Sequence, residues 1–175
     1  MDFKERINSI IEDLKNVRED IPEHILDTAP ASNPQLLYYR PEHFIIQELV
    51  DPKTFQDRGE KSFELLDPYM LWTIDRMREL YGSITINNWK WGGPYKYSGF
   101  RPKHCTEGAT YSQHRLGRGF DLKFKDHTPA KVREDIRNEP NKNEFKYITC
   151  VENDTATWLH IDARPIKDRI LWVNP

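Results

Sequence analysis

The residues best placed to do chemistry are two histidines and their acidic neighbours. His114 lies in the run TYSQHRLGRGFDLKF, seven residues before Asp121. Gly117 and Gly119 fall between them, and glycine admits backbone conformations that let a segment turn tightly. A turn there brings the His114 imidazole back toward the Asp121 carboxylate. His160 lies in TWLHID, where Asp162, two residues on, shares its face if the segment is extended. Two imidazoles, one carboxylate and a water make an open zinc site. Zinc in such a site lowers the pKa of the water to about 7 and polarises a carbonyl oxygen, which is hydrolytic chemistry. The same residues also suit a loop histidine beside a salt-bridged aspartate, and spacing alone does not choose between the two. His24, His43 and His127 stand in polar surroundings and are expected at the surface.

These side chains need elements to hold them. Asp67-Pro68 opens the clearest helix, with aspartate as N-cap and proline at the first helical position. Met70, Leu71, Ile74, Met77 and Leu80 line its apolar face, and Gly82 stands where a C-cap belongs. Thr128-Pro129 opens a second, shorter helix to about residue 137. Strands are expected at 83–89, 119–124, 145–151, 156–162 and 168–173 from β-branched content and alternation. Residues 43–50 form a short apolar element of open type, and 57–62 read as a polar loop. Helices first and strands late, with short gaps between them, imply an α+β fold with a small, largely antiparallel sheet. Before this body, Phe3, Ile7, Ile10, Ile11, Leu14 and Val17 recur at helical spacing over residues 2–18. A proline-rich connector follows, so the division is 1–40 for helix and connector and 41–175 for the main domain.

Composition narrows the classes. Lys and Arg number 26 against 28 Asp and Glu, a balance unlike the basic excess of a nucleic-acid binder. Aromatic residues make up 12%, which is core-forming material rather than the makings of a disordered chain. No apolar run reaches the length of a membrane span. The N-terminus has no apolar secretory segment, so synthesis in the cytoplasm is expected. Cys105 and Cys150 are expected reduced. The aromatic stretch 87–100, with Trp89, Trp91, Tyr95, Tyr97 and Phe100, suits either a ligand groove or hairpin and core packing.

Three runs taken together are more specific. They are Tyr97-Ser98-Gly99-Phe100-Arg101, then Ser112-x-His114-x-x-Gly117-x-x-x-Asp121, then Trp158-Leu159-His160-Ile161-Asp162. In this order they resemble the zinc D-alanyl-D-alanine carboxypeptidases and L-alanyl-D-glutamate endopeptidases, which cut peptidoglycan stem peptides and share their fold with the Hedgehog signalling domain. The resemblance covers about residues 43–173 and leaves the first 40 unexplained. It implies Zn2+ held by His114, Asp121 and His160. It implies that Arg101 binds a substrate carboxylate or carbonyl oxygen, with Ser112 and Trp158 near the substrate. Two positions depart from the family pattern. Gly119 stands where alanine is usual. Thr157 stands where many members carry a catalytic carboxylate. Asp162 then either serves as general base or orients His160, with Asp154 and Glu152 as the next candidates for the base. The resemblance points to a phage-encoded peptidase, endolysin-like or virion-borne, acting at the bacterial cell wall. The alternatives are a non-catalytic virion or structural protein that reuses the fold, with the N-terminal helix contacting virion partners, and a zinc-dependent binding module.

Overall fold

The computed structural model describes residues 38–166 and 170–174. The helix expected over 2–18, the connector after it and His24 lie outside the described residues. Three α-helices in the described chain start on one device. They are α1 (Pro52–Arg58), α2 (Pro68–Tyr81) and α3 (Pro129–Asn138). Asp51 accepts hydrogen bonds from the backbone of Lys53 and Thr54, Asp67 from Tyr69 and Met70, and Thr128 from Lys131. In each case proline follows the cap, where its missing N–H costs nothing. No helix among the described residues is long and apolar enough to cross a membrane.

The polar loop expected at 57–62 is instead the end of α1 and a 3-10 segment, Gly59–Leu65. Ser62 and Phe63 turn inward there while the charged residues stay outside, a division that composition alone hides. Residues 43–50 hold a 3-10 turn at Ile46–Glu48. On α2, Met70, Leu71, Ile74 and Met77 are fully buried as expected, but Leu80 is 38% exposed. The stripe continues through Tyr81 instead, because 70, 74, 77 and 81 follow the helical repeat.

The sheet has five strands in the order β1-β2-β4-β3-β5. These are β1 (Ile84–Thr85), β2 (Gly119–Phe124), β3 (Cys150–Glu152), β4 (Leu159–Asp162) and β5 (Leu171–Val173). All neighbours pair antiparallel except β3 with β5, which are parallel. The α+β class holds, and the sheet is largely antiparallel with one parallel edge. Strands β1, β3 and β4 are shorter than expected, β4 starting only at Leu159 where 156–162 was expected. β1 stops because the Asn87 side chain accepts from Ser98 N and donates to Val50 O, turning the chain out of the sheet into a 3-10 turn at Trp89–Trp91. The run 145–151 starts with a turn that buries Phe145 and Ile148, and only its end is strand. The core joins Met70 and Ile74 of α2, Ile136 of α3, and Phe120, Leu122 and Ile161 of the sheet in one buried cluster. Cys105 and Cys150 are buried and unbridged.

Gly117 joins this frame to the loop before β2. It ends the 3-10 turn Gln113–Leu116 with φ 70°, and its carbonyl accepts from the N–H of Asp67, the cap of α2. A Cβ at this position would sit 1.8 Å from the Leu65 carbonyl oxygen. Gly117→Ala is therefore expected to destabilise the fold by about 3 kcal/mol or more, adding left-handed strain to a backbone clash. Thermal unfolding checks this. A melting temperature within about 2 °C of the parent would overturn it, since that change corresponds to under about 1 kcal/mol at this chain length.

Candidate metal centre

β2 and β4 bring two of the three expected ligands face to face. Their register sets Asp121 directly opposite His160. Cross-strand partners on one face lie within side-chain reach, so backbone pairing alone delivers this contact. His160 Nδ1 is 2.8 Å from Asp121 Oδ1. His114 arrives from the turn before β2, with Nε2 3.2 Å from His160 Nδ1 and 3.3 Å from Asp121 Oδ1. One ligand atom from each residue lies within 4.8 Å of the others, and all three residues are buried. Among the described residues this is the one group of its kind.

The second nitrogen of each ring is tied down. His114 Nδ1 is 2.8 Å from the Gly99 carbonyl oxygen, to which it donates, leaving the Nε2 lone pair aimed at the cluster. His160 Nε2 is 3.1 Å from Asp162 Oδ2. Histidines that hold a metal normally donate their other N–H to a carbonyl or carboxylate in this way, which fixes tautomer and ring orientation. The donor set therefore fits a divalent cation such as zinc, with Nε2 of His114, Nδ1 of His160 and a carboxylate oxygen of Asp121 as its ligand atoms.

The segment 98–101 supports the centre from one side. Phe100 N donates to Leu49 O, Asp121 N to Ser98 O, and Arg101 N to His114 O. Gly99 is packed so closely that a Cβ would lie 2.1 Å from Leu49 O. Gly119, where the family pattern has alanine, is also tight, since a Cβ would meet His114 N at 3.0 Å.

The electrostatics follow from burial and hydrogen bonding together. Burial pushes Asp121 up, but the adjacent His114 and His160 prevail and hold it well below the carboxylate range. Burial keeps His114 below its ordinary pKa in spite of Asp121. Burial also opposes charge on His160, yet hydrogen bonds to Asp121 and Asp162 win and raise it to about 9. For Asp162, burial is outweighed by His160 and Arg164, which lower it to about 2.

The remaining expected residues separate by position. Asp162 shares the face of His160, as strand parity requires, but it is 0% exposed. Its oxygens are taken by His160 and by Arg164, whose Nε lies 2.9 Å from Oδ1 and 3.1 Å from Oδ2. That geometry suits a carboxylate that orients His160. Arg101 is also held internally, with Nη2 2.9 Å from Asp121 Oδ2 and Nε 2.7 Å from Tyr97 O. A cavity of about 480 Å3 opens over the cluster, and Ser112, Trp158 and Glu152 line it beside the three ligands. Of the candidate bases, Glu152 at the end of β3 is the one on this wall; Asp154 and Thr157 are exposed and outside the lining. Arg133 of α3 braces the turn that carries Trp158, donating to Thr155 O at 2.7 Å and Thr155 Oγ1 at 2.9 Å.

Within the aromatic stretch, both readings apply to different residues. Tyr95 and Tyr97 line a neighbouring cavity, whereas Trp89 donates to Val50 O and Phe100 packs against the core. Trp91 is 61% exposed. Two residues escaped the sequence reading: Arg164, two positions after Asp162, and Lys123, two positions after Asp121. Strand parity is the signal that places Lys123 beside Asp121. Comparison with protein-family models, with curated proteins and with solved structures finds no match to this chain.

Proposed function

We propose that the chain is a zinc-dependent peptidase that hydrolyses peptide bonds in peptidoglycan stem peptides. The observation that carries this reading is the buried His114, Asp121 and His160 cluster, opening on a cavity whose wall includes Glu152. The three-part motif that resembles the peptidoglycan zinc peptidases supports the substrate class, and with it a Hedgehog-type fold and action at the cell wall as a phage-encoded lytic protein. Bound zinc would supply Lewis-acid polarisation of the scissile carbonyl and an acidified water.

The chain's own residues do the rest. Gly99 and Asp162 fix the two imidazoles, so His114 Nε2 and His160 Nδ1 face the cluster before any metal arrives. Arg101 holds Asp121 in place through its ion pair. Glu152 stands where a carboxylate can take a proton from a water in the cavity and return it to the leaving amine. Trp158 offers an apolar wall for the peptide. Phage virion proteins are the partners proposed for residues 1–40.

The test is zinc content of the purified full-length chain, measured beside release of new amino groups from bacterial sacculi. Stoichiometric zinc with fragment release is expected. Zinc without release would leave the non-catalytic virion or binding role in front. No zinc after preparation without chelators would remove the metal centre.

A further inference from the structure

A cation beside the candidate metal centre has no part in the chemistry above. Lys123 follows Asp121 by two positions on β2, so both side chains project from the same face. A second cavity of about 260 Å3 opens there, lined in part by Tyr95, Tyr97, Ser98 and Lys123. It shares Arg101, Asp121 and Trp158 with the larger cavity, so the two adjoin as lobes of one groove.

The Lys123 ammonium donates to Ser98 Oγ at 2.8 Å and to the Asp121 carbonyl at 3.4 Å, and lies 4.3 Å from the centre of the Tyr95 ring. These partners are neutral, and among the described residues Lys123 forms no ion pair. An ammonium has three donors, so one remains for a ligand. The other charged groups lining this lobe are Lys96, Arg101, Glu107 and Asp121. Asp121 is matched by Arg101 and by both histidines, and Glu107 is exposed. Arg101 is the residue whose type best suits a carboxylate, but its Nη2 and Nε are committed to Asp121 and Tyr97. Its Nη1 lies against Gly108, where a Cβ would come within 2.4 Å. A half-buried cation with neutral partners gains most from an anionic ligand.

We propose that the Lys123 lobe binds a free carboxylate of the peptide, so that the groove selects acidic peptides over their neutral counterparts. This inference rests on the peptidase reading only for the choice of a peptide. The probes are an acetylated tripeptide ending in D-alanine as free acid, the same peptide as C-terminal amide, and an amide whose last residue carries a side-chain carboxylate. Binding to the zinc-loaded full-length chain is measured by calorimetry in a Glu152→Gln background, where turnover does not consume the probe. Cleavage is followed separately in the parent.

The free acid is expected to bind about tenfold or more tighter than the amide, the range of one charge-assisted hydrogen bond. Lys123→Met brings the ratio to within about twofold, with zinc content and amide affinity unchanged, and Lys123→Arg restores part of it. Tight binding of the side-chain acid would locate the carboxylate on the side chain, and weak binding would locate it at the C-terminus. Equal binding of acid and amide by the Lys123 protein, or an acid preference that survives Lys123→Met, overturns the proposal. Acid-selective, Lys123-dependent binding without cleavage keeps the lobe and removes the peptidase. Cleavage without acid preference does the reverse.

Discussion

Replacing Glu152 with glutamine is expected to leave zinc content unchanged and to lower cleavage of stem peptide by about a hundredfold to ten-thousandfold, the usual contribution of a positioned general base. The argument is one of access. Glu152 lines the cavity over His114, Asp121 and His160, whereas Asp162 is wholly buried with its oxygens engaged by His160 and Arg164. A carboxylate in that position orients the imidazole and leaves no oxygen for a water in the cavity. Asp162→Asn is therefore expected to fail differently, weakening zinc about tenfold to a hundredfold at a pH above about 9, where the His160 proton no longer competes, with most of the rate returning at saturating zinc. His114→Ala and Asp121→Ala are expected to lose both metal and cleavage. Metal analysis and rates at low and saturating zinc separate these cases. A Glu152→Gln protein of full activity, beside an Asp162→Asn protein that added zinc does not rescue, would exchange the two roles.

The difference between those two carboxylates marks how far the sequence could be read. The candidate ligands are legible because their positions follow from short-range rules. A glycine-punctuated turn carries His114, and strand parity puts His160 with Asp162. The cross-strand register that sets Asp121 opposite His160 is a tertiary fact, and the sequence could only leave room for it. The pairing of Asp162 with Arg164 depends on how the chain leaves β4. Arg101 is expected at the substrate from the family resemblance; it lines both cavities, and its Nη2 meets Asp121 there. In the fold, α1 carries at Asp51-Pro52 the same Asp-Pro signal as α2, and only its last two residues fall in the stretch 57–62 expected as loop. β1 was overextended because β propensity does not register a buried asparagine that diverts the chain.

Zinc affinity is expected to rise about tenfold for each pH unit up to about pH 9 and to level off above it. The cause is the proton on His160. In metal-free protein prepared with a chelator, Asp121 lies at one ring nitrogen and Asp162 at the other. Against the cost of burial, they raise His160 from 6.5 to about 9. At neutral pH the ring is therefore an imidazolium, and its Nδ1 becomes a ligand only after losing that proton. His114 does not compete in this range, because burial holds its pKa down. One proton should thus leave for each zinc bound at about pH 7, measured as acid release in weakly buffered solution. The sign for stability is opposite. A histidine whose folded pKa is raised stabilises the metal-free fold fully below about 6.5 and loses that contribution as the pH climbs through about 9. Metal-free protein should therefore soften over the same interval in which zinc binding strengthens, so the gain in melting temperature on adding zinc widens with pH. Asp162→Asn removes one of the two carboxylates, and the steep part of the affinity curve should move to lower pH. Zinc affinity that stays flat between about pH 7 and pH 9, with no proton released, would mean that His160 is neutral between its two carboxylates and that their charge is balanced elsewhere.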